Sequence, residues 1–66
     1  MFRNNLKGQL QTASDPYTFL NGLSAHQLRA LCRAYHLHES VGGRYYTMQE
    51  NIERIAQAEL ARRAQQ

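Results

Sequence analysis

The chain has 66 residues, with eight lysines and arginines against five acidic residues, and a formal net charge of +3. A chain of this length forms one domain and buries only about 60% of its unfolded surface, so a second domain or a deep substrate cleft is excluded. Its apolar runs fall far short of the roughly 20 residues of a transmembrane helix. The single cysteine excludes an internal disulfide, and the first residues lack the apolar stretch of a secretory signal. We therefore predict a cytoplasmic setting without a membrane partner.

Residues 1–14 are predicted to form an arm, because they are mostly small or polar and Gly8 interrupts any helical pattern. The spacing of Phe2, Leu6 and Leu10 leaves open a helix that forms on docking. Residues 15–66 are predicted to form a single helical domain.

Two helices are predicted next in the chain. Asp15 is a good N-cap and Pro16 a good first residue for a short helix over 16–21, which Gly22 would end in a left-handed conformation. Ser24 and Gln27 have the spacing of a capping box, which predicts a helix over 25–36. Its apolar stripe consists of Leu28, Leu31, Cys32 and Tyr35.

Residues 37–46 are predicted to form an extended connector without a strand pair, because Gly42 and Gly43 interrupt regular structure. Thr47 then caps a third helix, with Glu50 completing a second capping box. The predicted buried face of that helix is Met48, Ile52, Ile55, Ala56 and Leu60, and Glu50–Arg54 and Glu59–Arg63 are predicted surface pairs. The fold class is all-α, with three helices and a helix–extended loop–helix core.

Metal binding and catalysis are both disfavoured by the sequence. Cys32 and His36 have an i, i+4 spacing that suits two ligands, with His26 and His38 nearby, but no second ligand pair follows at a convincing spacing. Cys32 also lies on the apolar stripe, where a thiol behaves as a small buried hydrophobe. We predict no metal, no cofactor, no catalytic residue and no enzyme activity.

Two basic features favour an anionic partner. Arg29 and Arg33 lie on the polar face of the second predicted helix, flanked by His26 and His36. Gly42-Gly43-Arg44 leads toward a helix N-terminus, where a phosphate is favourably placed, and Tyr45 or Tyr46 offers a ring for stacking. The alternative for the arginine face is that it is merely solvated. The alternative for the glycine segment is a tight turn, with the tyrosines filling the core.

Residues 20–55 resemble a SAP-type helix–extended loop–helix module, also found in the N-terminal region of the Rho terminator. The resemblance lies in the segment LSAHQLRALCRAYHL over 23–37 and in ENIERI over 50–55. It implies binding of DNA or RNA mainly through the backbone, with Arg44 as the loop base and Arg29 and Arg33 as supporting contacts. The chain departs from the family pattern in its longer loop and in Asn51, which stands at an apolar position.

The leading hypothesis is a non-catalytic nucleic-acid-binding module, with a predicted set of contacts formed by Arg29, Arg33, Arg44, Tyr45, Lys7 and Arg3. The alternative is a small protein–protein adaptor or inhibitor, of phage or mobile-element type, that acts on a host protein. Its predicted surface is aromatic and consists of Tyr17, Phe19, Tyr45 and Tyr46. Self-association as a homo-oligomer through the alanine-rich stretch 56–64 is a third possibility, which sedimentation would test.

Overall fold

The structure, a computed structural model, describes residues 5–38 and 40–65, with every side chain in these ranges except that of Val41. Within these ranges the chain forms four α-helices and one short hairpin. In chain order the elements are α1 (Leu6–Thr12), α2 (Pro16–Asn21), α3 (Ala25–Ala34), β1 (Ser40–Val41), β2 (Arg44–Tyr45) and α4 (Met48–Ala64). The predicted all-α class is confirmed, with one helix more than expected.

The additional helix, α1, occupies most of the predicted arm. Asn5 caps it by accepting a hydrogen bond from the Gly8 amide at 2.6 Å. Leu10 has no exposed surface. The cap and the burial of Leu10 offset the weak helix propensity of Gly8, so residues 6–12 form a helix docked on α2 and α3, the alternative that the spacing of Leu6 and Leu10 left open. Phe2 lies outside the described residues.

The predicted helix starts are confirmed at α2 and α3. Asp15 accepts a hydrogen bond from the Tyr17 amide at 3.1 Å, and α2 covers the predicted 16–21. Ser24 and Gln27 form both hydrogen bonds of a capping box at α3. The prediction for Gly22 was wrong, because its φ of −88° is right-handed and its amide bonds to the Phe19 carbonyl, which ends α2 in a tight turn.

The end of α3 uses a left-handed residue that is not glycine. The predicted helix over 25–36 ends at Ala34 because His36 adopts a φ of +60°. The Leu37 amide then donates to the Cys32 carbonyl at 2.7 Å, and the His36 amide donates to the Arg33 carbonyl at 3.0 Å. These two bonds define a Schellman motif, whose left-handed position usually belongs to glycine.

Replacing His36 with glycine should stabilise the fold. The left-handed conformation costs a residue with a β-carbon about 1–2 kcal/mol of conformational free energy. His36→Gly should therefore raise the free energy of unfolding by about 1 kcal/mol. Urea denaturation followed by circular dichroism would measure it. His36→Ala is the matched control, since it removes the imidazole without relieving the backbone. An equal effect of the two substitutions would contradict this explanation.

The connector between α3 and α4 contains a hairpin, contrary to the prediction of no strand pair. β1 and β2 are antiparallel, with Ser40 opposite Tyr45 and Val41 opposite Arg44. Gly42 and Gly43 lie between them with φ values of +63° and +80°, which match the two central positions of a type I′ turn. A β-carbon at either glycine would meet no atom within 4 Å, so the requirement for glycine is conformational.

Helix α4 begins with the predicted capping box between Thr47 and Glu50 and packs against α2 and α3. The core combines residues from all four helices: Leu10, Leu20, Leu28, Leu31, Cys32, Ile52, Ile55 and Ala56. Met48 and Leu60 were wrongly predicted to be buried. Met48 is 47% exposed at the start of the helix, and Leu60 is 40% exposed because it is turned about 100° from the buried Glu59.

Glu59 is the only buried charged residue among those the structure describes, and it was wrongly predicted to be at the surface. Its carboxylate accepts hydrogen bonds from the Tyr35 hydroxyl at 2.6 Å, from Arg62 at 2.8 and 3.0 Å, and from Arg63 at 2.6 Å. The predicted Glu59–Arg63 pair is therefore confirmed, in a buried setting. Arg62 contributes most to lowering the pKa of Glu59, to about 2, while burial and the bond to Glu59 raise the pKa of Tyr35 to about 12.

Arg63 also joins α4 to the end of α1. Its Nη2 atom donates to the carbonyls of Leu10 at 3.1 Å and Ala13 at 2.7 Å. The carbonyls at the end of a helix lack partners within that helix, and a guanidinium is a favourable partner for them. The Glu59 cluster, defined as Glu59, Tyr35, Arg62 and Arg63, thus links α1, α3 and α4.

Candidate functional site

Two adjoining grooves lie between α3 and the hairpin. The first has a volume of about 400 Å³ and is lined by His26, Arg29, Arg33, Tyr45, Tyr46 and Asn51. The second has a volume of about 640 Å³ and is lined by Arg33, His36, Leu37, His38, Ser40 and Tyr45. Arg33 and Tyr45 line both grooves, so together they form the ridge between them. Both grooves are open to solvent.

The cations of the first groove come from one face of α3. Arg29 and Arg33 are one turn apart and exposed, and His26 precedes Arg29 by three residues. Residues three or four apart on a helix lie on the same side, while Leu28, Leu31 and Cys32 fix the opposite side in the core. The amphipathic pattern of α3 therefore presents both guanidinium groups to the groove. The structure brings together three predicted contacts, namely Arg29, Arg33 and Tyr45.

Tyr46 and Arg54 hold the hairpin beside α4. The Arg54 guanidinium lies 3.8 Å from the centroid of the Tyr46 ring. It also donates to the His38 carbonyl at 2.7 Å and to Asn51 Oδ1 at 2.9 Å. Sequence reasoning paired Arg54 with Glu50 and missed this role. The aromatic residue before the capping box was the one available signal, but its partner depends on how the hairpin folds back.

Arg44 lies away from the lining of both grooves. Its Nη2 atom pairs with Glu50 Oε2 at 2.5 Å. Glu50 also accepts the Thr47 amide at 2.9 Å, and the backbone bond at Thr47 followed by the Arg44 contact lowers the pKa of Glu50. The N-terminus of α4 is therefore occupied by the carboxylate of its own capping box. Arg44 is therefore paired and not unpaired as expected, while the phosphate contact predicted for it stays a prediction.

Lys7, one of the two contacts predicted for the N-terminal segment, does not line either groove. Lys7 Nζ donates to the Ala34 carbonyl at 3.2 Å and lies 4.9 Å from the centroid of the Tyr35 ring. Lys7 thus stabilises the C-terminal end of α3, where a positive charge is favourable. Arg3, the other cation predicted for this segment, lies outside the described residues.

The aromatic residues proposed for a protein partner differ in exposure, because Tyr45 is exposed and the other three are half-buried. Tyr17 and Phe19 are half-buried against the core. The Tyr17 hydroxyl donates to Glu53 at 3.2 Å and accepts from Gln57 at 3.0 Å. Tyr46 contacts α4 at Arg54, and Tyr45 lines both grooves, whose linings include neither Tyr17 nor Phe19.

Cys32 and His36 do not form a metal-binding pair. Cys32 is buried, with its Sγ 3.5 Å from Asn51 Oδ1, whereas His36 is exposed beyond the end of α3. Among residues 5–38 and 40–65, no three His, Cys, Asp or Glu side chains come together in a group able to hold a metal ion.

Comparison with protein-family models, with curated proteins and with solved structures gives no match for this chain. Within the described part of the chain, no helix has the length and apolar character needed to span a membrane. The class that the structure defines is a small all-α domain with a basic and aromatic groove between α3 and the hairpin.

Proposed function

We propose that this protein is a non-catalytic nucleic-acid-binding module whose groove contacts the phosphate backbone through Arg29 and Arg33. The observation that carries the proposal is the meeting of these two exposed guanidinium groups with His26, Tyr45 and Tyr46 in one groove. Guanidinium groups bind phosphate oxygens through paired, charge-assisted hydrogen bonds, and tyrosine rings lie well against bases or sugars.

Four other arginines of the described residues make contacts within the chain. Arg44 pairs with Glu50, Arg54 holds the hairpin, and Arg62 and Arg63 surround Glu59. These four arginines contribute to the fold through carboxylates and carbonyls of the chain itself. The groove between α3 and the hairpin is where two exposed arginines lie side by side.

Two further features belong to the proposal. The resemblance of residues 20–55 to SAP-type modules favours the same function. A cytoplasmic location is part of the proposal too, and it is favoured by the single cysteine, Cys32, which is buried and has no second cysteine with which to form a disulfide.

The proposal is tested by the salt dependence of binding. Fluorescence anisotropy with labelled 12-nucleotide single strands and duplexes should detect binding at about 50 mM salt. Two phosphate contacts, one for each arginine, give a slope of about −1.4 to −1.8 in log association constant against log salt, because each contact releases counterions. Absence of binding at low salt, or binding insensitive to salt, would overturn the proposal. A protein partner retained from lysate after nuclease treatment, together with absent oligonucleotide binding, would favour the adaptor.

A further inference from the structure

Tyr45 is the most exposed large apolar side chain among the described residues, with 73% of its surface accessible. Its neighbour Tyr46 is half-buried, with the Arg54 and Arg44 guanidinium groups at 3.8 and 5.3 Å from its ring centroid. The two adjacent tyrosines therefore have different roles. Tyr46 anchors the hairpin, and Tyr45 presents a large ring to solvent from a position that Tyr46 and the type I′ turn hold in place.

The position of Tyr45 relative to the cations is the second observation. Tyr45 and Arg33 form the ridge between the two grooves, whose volumes are about 400 and 640 Å³. A ligand that extends from one groove into the other therefore passes beside Arg33 and the exposed Tyr45 ring. An extended strand of nucleotides has the required form, with a base on either side of the ring and its phosphates near Arg29 and Arg33.

The shape of the surface distinguishes a single strand from a duplex. Helices that read double-stranded DNA project into a major groove about 12 Å wide. Here the basic face of α3 is a groove wall, and the hairpin with Tyr45 stands opposite it. In a duplex the bases are already stacked on one another, so an exposed tyrosine finds a free base face only in a single strand or an end.

We propose that the groove selects single-stranded over double-stranded nucleic acid, with the Tyr45 ring stacking on an unpaired base. This inference rests on the proposed function and adds the form of nucleic acid that is bound. The stacking ring supplies the selectivity, and the arginines supply affinity that both forms share.

The test compares fluorescein-labelled 12-nucleotide single strands of mixed sequence, as RNA and as DNA, with the duplex that each forms with its complement. Wild-type protein should bind the single strands at least about ten-fold more tightly than the duplexes at the same salt concentration. Tyr45→Ala should weaken single-strand binding by about ten-fold and leave duplex binding nearly unchanged. Tyr45→Phe is the matched control, because it keeps the ring, and it should bind as wild type does.

A strand of the same length with abasic sites throughout separates stacking from charge. It should bind wild type and Tyr45→Ala equally, because it offers phosphates and no bases. Circular dichroism checks that each variant is folded. Equal or tighter binding of duplex, or single-strand binding unaffected by Tyr45→Ala, would overturn the single-strand inference and leave the proposed function standing. Binding of neither form by the wild-type protein would overturn both.

Discussion

Replacing Glu59 with glutamine should lower the free energy of unfolding by about 3–5 kcal/mol, the usual cost of removing one partner from a buried ion pair. The substitution keeps the size of the side chain but removes the charge that faces Arg62 and Arg63. A domain of this size has only about 3–5 kcal/mol of stability in total, so the variant should be largely unfolded at 25 °C. Circular dichroism with urea denaturation would measure the loss.

Glu53→Gln is the matched control, because Glu53 lies on the same helix but is exposed and accepts one bond from Tyr17. It should cost less than about 1 kcal/mol.

Acid should lower the free energy of unfolding, as Glu59→Gln does. The pKa of Glu59 in the fold is about 2, below its ordinary 4.5, so its stabilisation is complete above about pH 5 and is lost as the pH falls through 2. A Glu59→Gln variant as stable as Glu53→Gln would contradict this account.

Neutralising both groove arginines should weaken nucleic-acid binding by about 100-fold at low salt. A hydrogen bond to a charged group is worth about 1.5–3 kcal/mol, and Arg29→Gln with Arg33→Gln removes at least two such bonds. The salt slope should also fall in magnitude by about 1.4 to 1.8, since two fewer phosphates are neutralised. Fluorescence anisotropy over a series of salt concentrations measures both quantities.

The control for this variant has the same net charge, but its substitutions lie outside the groove. Ala61→Glu with Ala64→Glu also lowers the formal net charge from +3 to +1, on exposed residues of the last turns of α4. Ala61 lies ten residues along α4 from Asn51 in the groove, about 15 Å by the helical rise. The control should keep most of the affinity. If both variants lose affinity equally, net charge and not the groove determines binding.

Local signals accounted for the helix starts and the fold class. Asp15, Ser24 and Thr47 act within three residues of themselves, so their capping roles are readable from the order of residues alone. Helix ends were harder to predict. The end of α3 depends on a left-handed His36, where no glycine marks the position, and the hairpin needed two residues on either side of Gly42-Gly43 to pair.

The remaining errors concern contacts between distant parts of the chain. The hydrogen bond from Arg63 to Ala13 spans 50 residues, and the one from Tyr35 to Glu59 spans 24. A carboxylate four residues before an arginine has the same pattern whether the pair is solvated or buried, so Glu59 looked like a surface residue. The basic face of α3 was predictable from the helical spacing of its arginines. That the Tyr45 ring lies opposite it follows from the hairpin and from the contact of Arg54 with Tyr46.

Self-association through residues 56–64 stays a prediction that sedimentation would test. Ala56 lies in the core of its own chain, while Leu60, Ala61 and Ala64 are exposed. Any self-contact of this stretch would therefore use the outer side of α4, far from the groove.

The most direct test of the central claim is an amide chemical-shift map of the ¹⁵N-labelled protein titrated with an unlabelled 12-nucleotide single strand. If the groove binds nucleic acid, the largest shifts should fall on residues 26–33 of α3 and on Tyr45, Tyr46 and Asn51, which contribute to the groove lining. The amide chemical shifts of residues 61–65, at the far end of α4, should change little. Shifts concentrated at that end of α4, or no shifts at millimolar oligonucleotide, would contradict the claim.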